Sequence, residues 1–109
     1  MSKPVALLQG TLYLLILKIL DLEPRTGWDI SQRLRQMSNE TLQASHGSLY
    51  PAVHKLEHEG WIHGEWKESP TGRPVKLYSL TRAGRRQLQL ETENWTRLSA
   101  AVNGILESV

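Results

Sequence analysis

The apolar positions of the 109-residue chain change their period along its length. From Val5 to Leu22 they are nearly continuous, interrupted by Gln9, Gly10, Thr11, Lys18 and Asp21, with the longest clean run from Leu12 to Leu17. A membrane span needs about 20 predominantly apolar residues, so this stretch is too short. A secretory signal would end in a small-residue cleavage site, whereas here the run ends in Asp21-Leu22-Glu23-Pro24. The expectation is a soluble, untargeted protein whose first helix is apolar on nearly every side and must be covered on nearly every side. Pro24 closes that helix, and Thr26 with Asp29 makes a capping-box-like start for a second. Ile30, Leu34 and Met37 then recur at helical spacing up to Ser38-Asn39.

A third helix follows, with Ser45 or Ser48 as its N-cap and Gly60 just past its end. If Ser48 is the cap, Pro51 sits in the first turn, where a missing N–H costs little; if Ser45 is, Pro51 lies deeper and bends the helix. Beyond Gly60 the pattern becomes strand-like over Ile62 to Lys67 and Val75 to Leu80, joined by the Pro- and Gly-bearing loop Glu68 to Pro74. Thr81 caps a last, proline-free segment running to Val109. Along it Leu88, Trp95, Val102 and Val109 repeat every seven residues, with Leu98 and Ile105 alternating and Glu91 breaking the seam. Some 28 helical residues would span about 42 Å, more than a small domain can cover, so part of the seam needs a partner.

The chain therefore reads as mainly α with a small two-stranded β-wing: a winged helix-turn-helix over residues 1–81 and a long dimerisation helix over 82–109. In that order of elements the third helix enters a DNA major groove and the hairpin touches backbone or minor groove. The faces of the third helix fit. At 100° per residue Leu49, Ala52, Val53 and Leu56 lie together, Pro51, His54, Lys55 and His58 lie opposite, and Ser48 and Tyr50 flank them. The hairpin tip adds Gly72, Arg73 and Lys76.

Composition sharpens the picture in two places. The 28 Leu, Ile and Val residues are ample for collapse, and the absence of Cys removes disulfides, thiolate zinc sites and thiol catalysis. The net charge of +2 is unevenly spread. Residues 1–40 carry five basic and four acidic groups (+1), residues 41–86 seven and four (+3), and residues 87–109 one and three (−2). All four histidines (His46, His54, His58, His63) and the cluster Arg82, Arg85 and Arg86 fall in the basic middle, which points toward a polyanion.

The run Gly47-Ser48-Leu49-Tyr50-Pro51-Ala52, followed by His54-Lys55-Leu56-Glu57 and Glu59-Gly60, resembles the signature of the PadR family of bacterial transcriptional regulators. So do Leu8-Gln9-Gly10-Thr11-Leu12, Gly27-Trp28-Asp29-Ile30, Gly72-Arg73-Pro74 with Lys76-Leu77-Tyr78, and Leu80-Thr81 with Ala83-Gly84-Arg85. The length fits the short subfamily with one C-terminal helix. The resemblance implies a cytoplasmic, homodimeric repressor, nucleoid-associated when bound, on inverted-repeat operators, often with ATGT and ACAT arms, and released by a cue. It carries DNA contacts onto Ser48, Tyr50, Pro51 and Lys55 and onto Gly72 and Arg73; the residue reading adds His54 and Lys76. It carries dimer contacts onto the first and last helices, for which Leu8, Leu12, Leu15, Leu88, Trp95, Leu98, Val102 and Ile105 are the candidates. Departures are Gln9, for a commonly basic residue, and His46, where proline is frequent.

Trp95 is also the ligand candidate: across a two-fold axis two indoles can sandwich a planar aromatic effector, and some family members respond to such molecules. No cofactor is expected. Tyr78 and Trp61 are expected in the core, and Trp28 in the core or at the dimer seam. Two other readings compete. His54-Lys55-Leu56-Glu57-His58 matches the H-x-x-E-H string of inverted zinc peptidases, but an enzyme would need a further ligand and a substrate cleft, leaving at most a regulatory metal on the histidines. A winged helix adapted to bind protein would carry apolar residues at Pro51, His54, Lys55 and His58, and this chain does not.

Overall fold

A computed structural model describes residues 5–109, with side chains from Leu7 onward; the first four residues of the segment 1–81 lie outside it. The elements are β1 (Val5–Ala6), α1 (Gln9–Leu22), β2 (Arg25–Thr26), α2 (Gly27–Met37), β3 (Leu42–Gln43), α3 (His46–His58), β4 (Ile62–Glu68), β5 (Pro74–Leu80) and α4 (Arg82–Leu106). The first apolar block divides at its polar interruption. Val5–Ala6 pairs in parallel with Leu42–Gln43, and the helix begins at Gln9. A two-residue strand leaves no periodicity to read, so neither β1 nor β3 was foreseeable from pattern.

The second helix starts as its sequence dictates, with the Asp29 amide donating to the Thr26 hydroxyl at 3.2 Å. Ser45, not Ser48, caps α3: the Ser48 amide donates to the Ser45 hydroxyl at 3.2 Å. Pro51 is consequently the sixth helical residue, and its missing N–H leaves the carbonyl of Gly47, an exposed residue, without its usual helical donor. The hairpin is one residue longer on each side than its alternation suggested, and β2 adds a third antiparallel strand with Arg25 opposite Tyr78. The sheet order is β2-β5-β4.

The core gathers Ile16, Leu17 and Leu20 of α1, Ile30 and Leu34 of α2, and Leu49, Val53 and Leu56 of α3, sealed by Ile62, Tyr78 and Leu88. Trp61 is half-buried against it. Where the hairpin meets α4, the Thr81 hydroxyl donates to the Gly60 carbonyl at 2.7 Å and accepts from the Gly84 amide at 3.0 Å. The Trp61 carbonyl lies where a Cβ at position 84 would stand, so only glycine lets α4 approach this closely. That contact gives the Ala83-Gly84-Arg85 run its physical reason.

The last helix is shorter than its heptads suggested. It ends at Leu106 with Glu107 as C-cap, so Val109 is not a helical seam position. Its 25 residues still span about 37 Å, and they draw the molecule out to 60 Å in its longest dimension. Among the described residues no helix is long and apolar enough to cross a membrane.

Candidate nucleic-acid interface

The third helix sorts its side chains as the 100° projection requires. Leu49, Ala52, Val53 and Leu56 are buried, while Ser48, Pro51, His54, Lys55 and His58 are exposed and Tyr50 is half-buried. The Tyr50 ring stacks on the His46 imidazole one turn earlier, with centroids 5.6 Å apart. A Cβ at Gly27 would come within 2.8 Å of the Tyr50 ring, so the α2 glycine fixes how close that ring lies to the second helix.

The wing tip is built by a turn. The Gly72 amide donates to the Ser69 carbonyl and the Ser69 amide to the Arg73 carbonyl, both at 2.9 Å. Gly72 holds φ at +83°, a backbone region that side chains disfavour. Arg73, next to it, is exposed and has no ion-pair partner among the described residues.

Two of the lysines expected to contact DNA have acidic partners within the chain. The Lys55 ammonium pairs with Glu59 one turn on at 2.9 Å, and the pair raises the lysine's affinity for its proton while lowering that of the carboxylate. Lys76 does not extend from the tip. It turns toward α3, pairing with Glu57 at 3.1 Å and lying 5.5 Å from the Tyr78 ring and 6.0 Å from that of Trp66. A Cβ at Gly64 would sit on the Lys76 stem and 2.8 Å from the Glu57 carboxylate, so glycine at 64 leaves room for this pair. Glu57 of the H-x-x-E-H string is thereby engaged by a cation. Among the described residues no three His, Asp or Glu side chains converge as metal ligands would.

Between α3 and the wing lies a cleft of about 440 Å³, lined among others by Trp28, Tyr50, His54, Trp66, Lys76 and Tyr78. Trp28 is thus not in the core: it is 58% exposed and lines this cleft, as does Trp66, which is 68% exposed. Sequence reasoning missed Trp66. The signal was available, because alternation along β4 puts Ile62, Gly64 and Trp66 on one face, opposite Leu80, Tyr78 and Lys76.

The expected dimer residues divide into two groups. Leu12 and Leu88 are 3% and 8% exposed, buried in the chain's own core, where they cannot form an outer face. Leu8, Trp95, Leu98, Val102 and Ile105 are exposed, and Leu15 is half-buried. Leu15, Leu8 and Trp95, with Leu14, Leu42 and Leu88, line a mostly apolar groove of about 650 Å³ between α1 and α4.

The family model described as the transcriptional regulator PadR-like family matches residues 16–90 of this chain. A PadR family transcriptional regulator from Eggerthella lenta is 30% identical, with 93% of this chain and 86% of that one covered and a TM-score of 0.81. A PadR-like transcriptional regulator from Bacillus cereus is 31% identical, with 93% and 96% covered and a TM-score of 0.78. A transcriptional regulator from Clostridium thermocellum shares the fold at a TM-score of 0.84, with 91% and 96% covered and 23% identity.

Proposed function

The chain belongs to the PadR-like family of transcriptional regulators, and from that premise we propose that it is a homodimeric repressor reading an inverted-repeat operator with α3 and the wing. It acts in the bacterial cytoplasm. The observation that carries the reading is the outer face of α3, where Ser48, Pro51, His54 and Lys55 are exposed and Tyr50 is half-buried at its edge. That face offers hydroxyl, phenol, imidazole and ammonium groups, which suit base edges and phosphates. Arg73 at the wing tip, next to the tight Gly72 turn, supplies a cation for the flanking backbone. Lys76 serves by holding the wing to α3 through Glu57.

The dimer contact runs along α4 and α1, through Leu8, Leu15, Trp95, Leu98, Val102 and Ile105. Two α3 helices must enter successive major grooves about 34 Å apart, so the geometry of the α4 pair sets operator affinity. A planar aromatic effector inserted beside Trp95, in the groove between α1 and α4, releases DNA by favouring a different spacing. Saturable quenching of tryptophan emission by such a compound, abolished in Trp95→Ala, supports this step; quenching that survives the substitution refutes it.

The test is a salt titration of binding to the gene's own upstream duplex and to a scrambled one. The expected result is one dimer per site, tighter on the upstream DNA, with log K falling linearly in log salt. Tyr50→Ala should lower the preference for the upstream duplex. Arg73→Ala should weaken both and reduce the salt slope by about one. Equal, weak binding to the two duplexes would mean that α3 does not read bases.

A further inference from the structure

The cleft between α3 and the wing holds more aromatic surface than the recognition helix needs. Along the inner face of β4, Ile62 is in the core, Gly64 makes room for the Lys76–Glu57 pair, and Trp66 overhangs beyond both. Its large apolar ring is 68% exposed, and the side chain directly opposite is that of Lys76. Trp28, the second residue of α2, lines the same cleft and is 58% exposed. Two exposed indoles thus line one open cleft, with the Lys76 ammonium 6.0 Å from the Trp66 ring.

The position of the cleft names the occupant. With α3 in a major groove and the wing at the adjoining minor groove, the sugar–phosphate strand that separates the two grooves must pass between α3 and the wing. This inference rests on the DNA-binding reading above and extends it. We propose that Trp28 and Trp66 hold that strand, their rings against the deoxyribose carbons, while Arg73 faces its phosphates. The chemistry matches: sugar C–H surfaces suit indole faces, and arginines suit phosphates. Neither tryptophan reaches a base edge in this role. They set the register in which Tyr50 and His54 meet the bases.

Contacts to sugars differ measurably from contacts to phosphates or bases. Losing one should weaken binding to every sequence alike, and it should release no fewer counterions. Binding of Trp28→Ala, Trp66→Ala and Trp66→Phe to the upstream and scrambled duplexes is therefore measured across a salt series, with circular dichroism checking the fold. Both alanine variants are expected to bind the two duplexes at least about fivefold more weakly by the same factor, as for loss of one packed interface side chain. Their salt slope should match that of the wild type, and Trp66→Phe should recover most of the affinity. Wild-type affinity in both alanine variants, alongside a Tyr50→Ala variant that loses preference, overturns the sugar contact and leaves the DNA reading intact. A shallower salt slope also overturns it, because that result means the wing has shifted and taken Arg73 with it. Absence of binding by the wild type to either duplex overturns the DNA reading, and the sugar contact with it.

Discussion

Helices α1 and α4 both carry apolar faces that require cover, yet they end in opposite circumstances. In α1 five side chains, Leu12, Ile16, Leu17, Ile19 and Leu20, are buried by α2, α3, α4 and the sheet. In α4 only Gly84 and Leu88 are buried; beyond them Trp95, Leu98, Val102 and Ile105 form an exposed apolar row. The contrast teaches that apolar periodicity specifies a buried face without specifying whose surface buries it. Where the chain folds back on itself, as over α1, the partner is internal. The distal part of α4 is exposed on all its apolar positions, and a second copy of the same heptad row is the complement proposed for it.

The comparison breaks most sharply under truncation of single side chains. Leu17→Ala, in the body, should cost about 2–5 kcal/mol in chemical denaturation. Ile105→Ala should leave the stability of the single chain within about 0.5 kcal/mol. If the two cost the same in a dilute monomer, α4 has an internal partner after all. Next in size, Leu98→Glu with Val102→Glu should leave circular dichroism of the body intact but yield monomers in sedimentation equilibrium. Operator affinity should then fall about a hundredfold, as two linked half-sites become independent.

The joint between the regions comes next. Gly84→Ala is helix-favouring by propensity but drives a methyl into the Trp61 carbonyl, so a net loss of about 1–3 kcal/mol is expected. A net gain would show that the α4 start can slide. The smallest effect is alkaline. Burial, the largest influence on Tyr78, pushes its phenol up, and the nearby Lys76 ammonium partly opposes this. A folded value above the unfolded one gives stability that is complete below about pH 10 and lost as pH rises through the folded value. Tyr78→Phe should therefore lose less stability than the wild type as pH rises above about 10; parallel losses would contradict the assignment.

Much of this arrangement was legible in residue order. Thr26, Thr81 and Gly60 mark real boundaries, and the alternation of Leu49, Ala52, Val53 and Leu56 with polar neighbours gave both faces of α3. What escaped was whatever depends on distant pairing. The strands β1 to β3 are two residues each and exist through their partners. Lys76 looked like a tip cation because its partner Glu57 lies nineteen residues away on another element. Lys55, by contrast, has its acidic partner one helical turn on, and i,i+4 spacing alone could have foretold that pair. From sequence Leu12 and Leu88 read as outer-face residues, because periodicity cannot separate the inner edge of an apolar face from its outer edge.

The exposed row of α4 and the exposed face of α3 answer to one measurement: a footprint on the upstream duplex at known protein stoichiometry. The expected pattern is two protected segments related by a dyad, their centres about one helical turn, or 34 Å, apart, filled together by two chains, with Leu98→Glu, Val102→Glu abolishing both at once. A single protected segment filled by one chain, and unchanged in that variant, would contradict the idea that α4 pairs two DNA-reading heads.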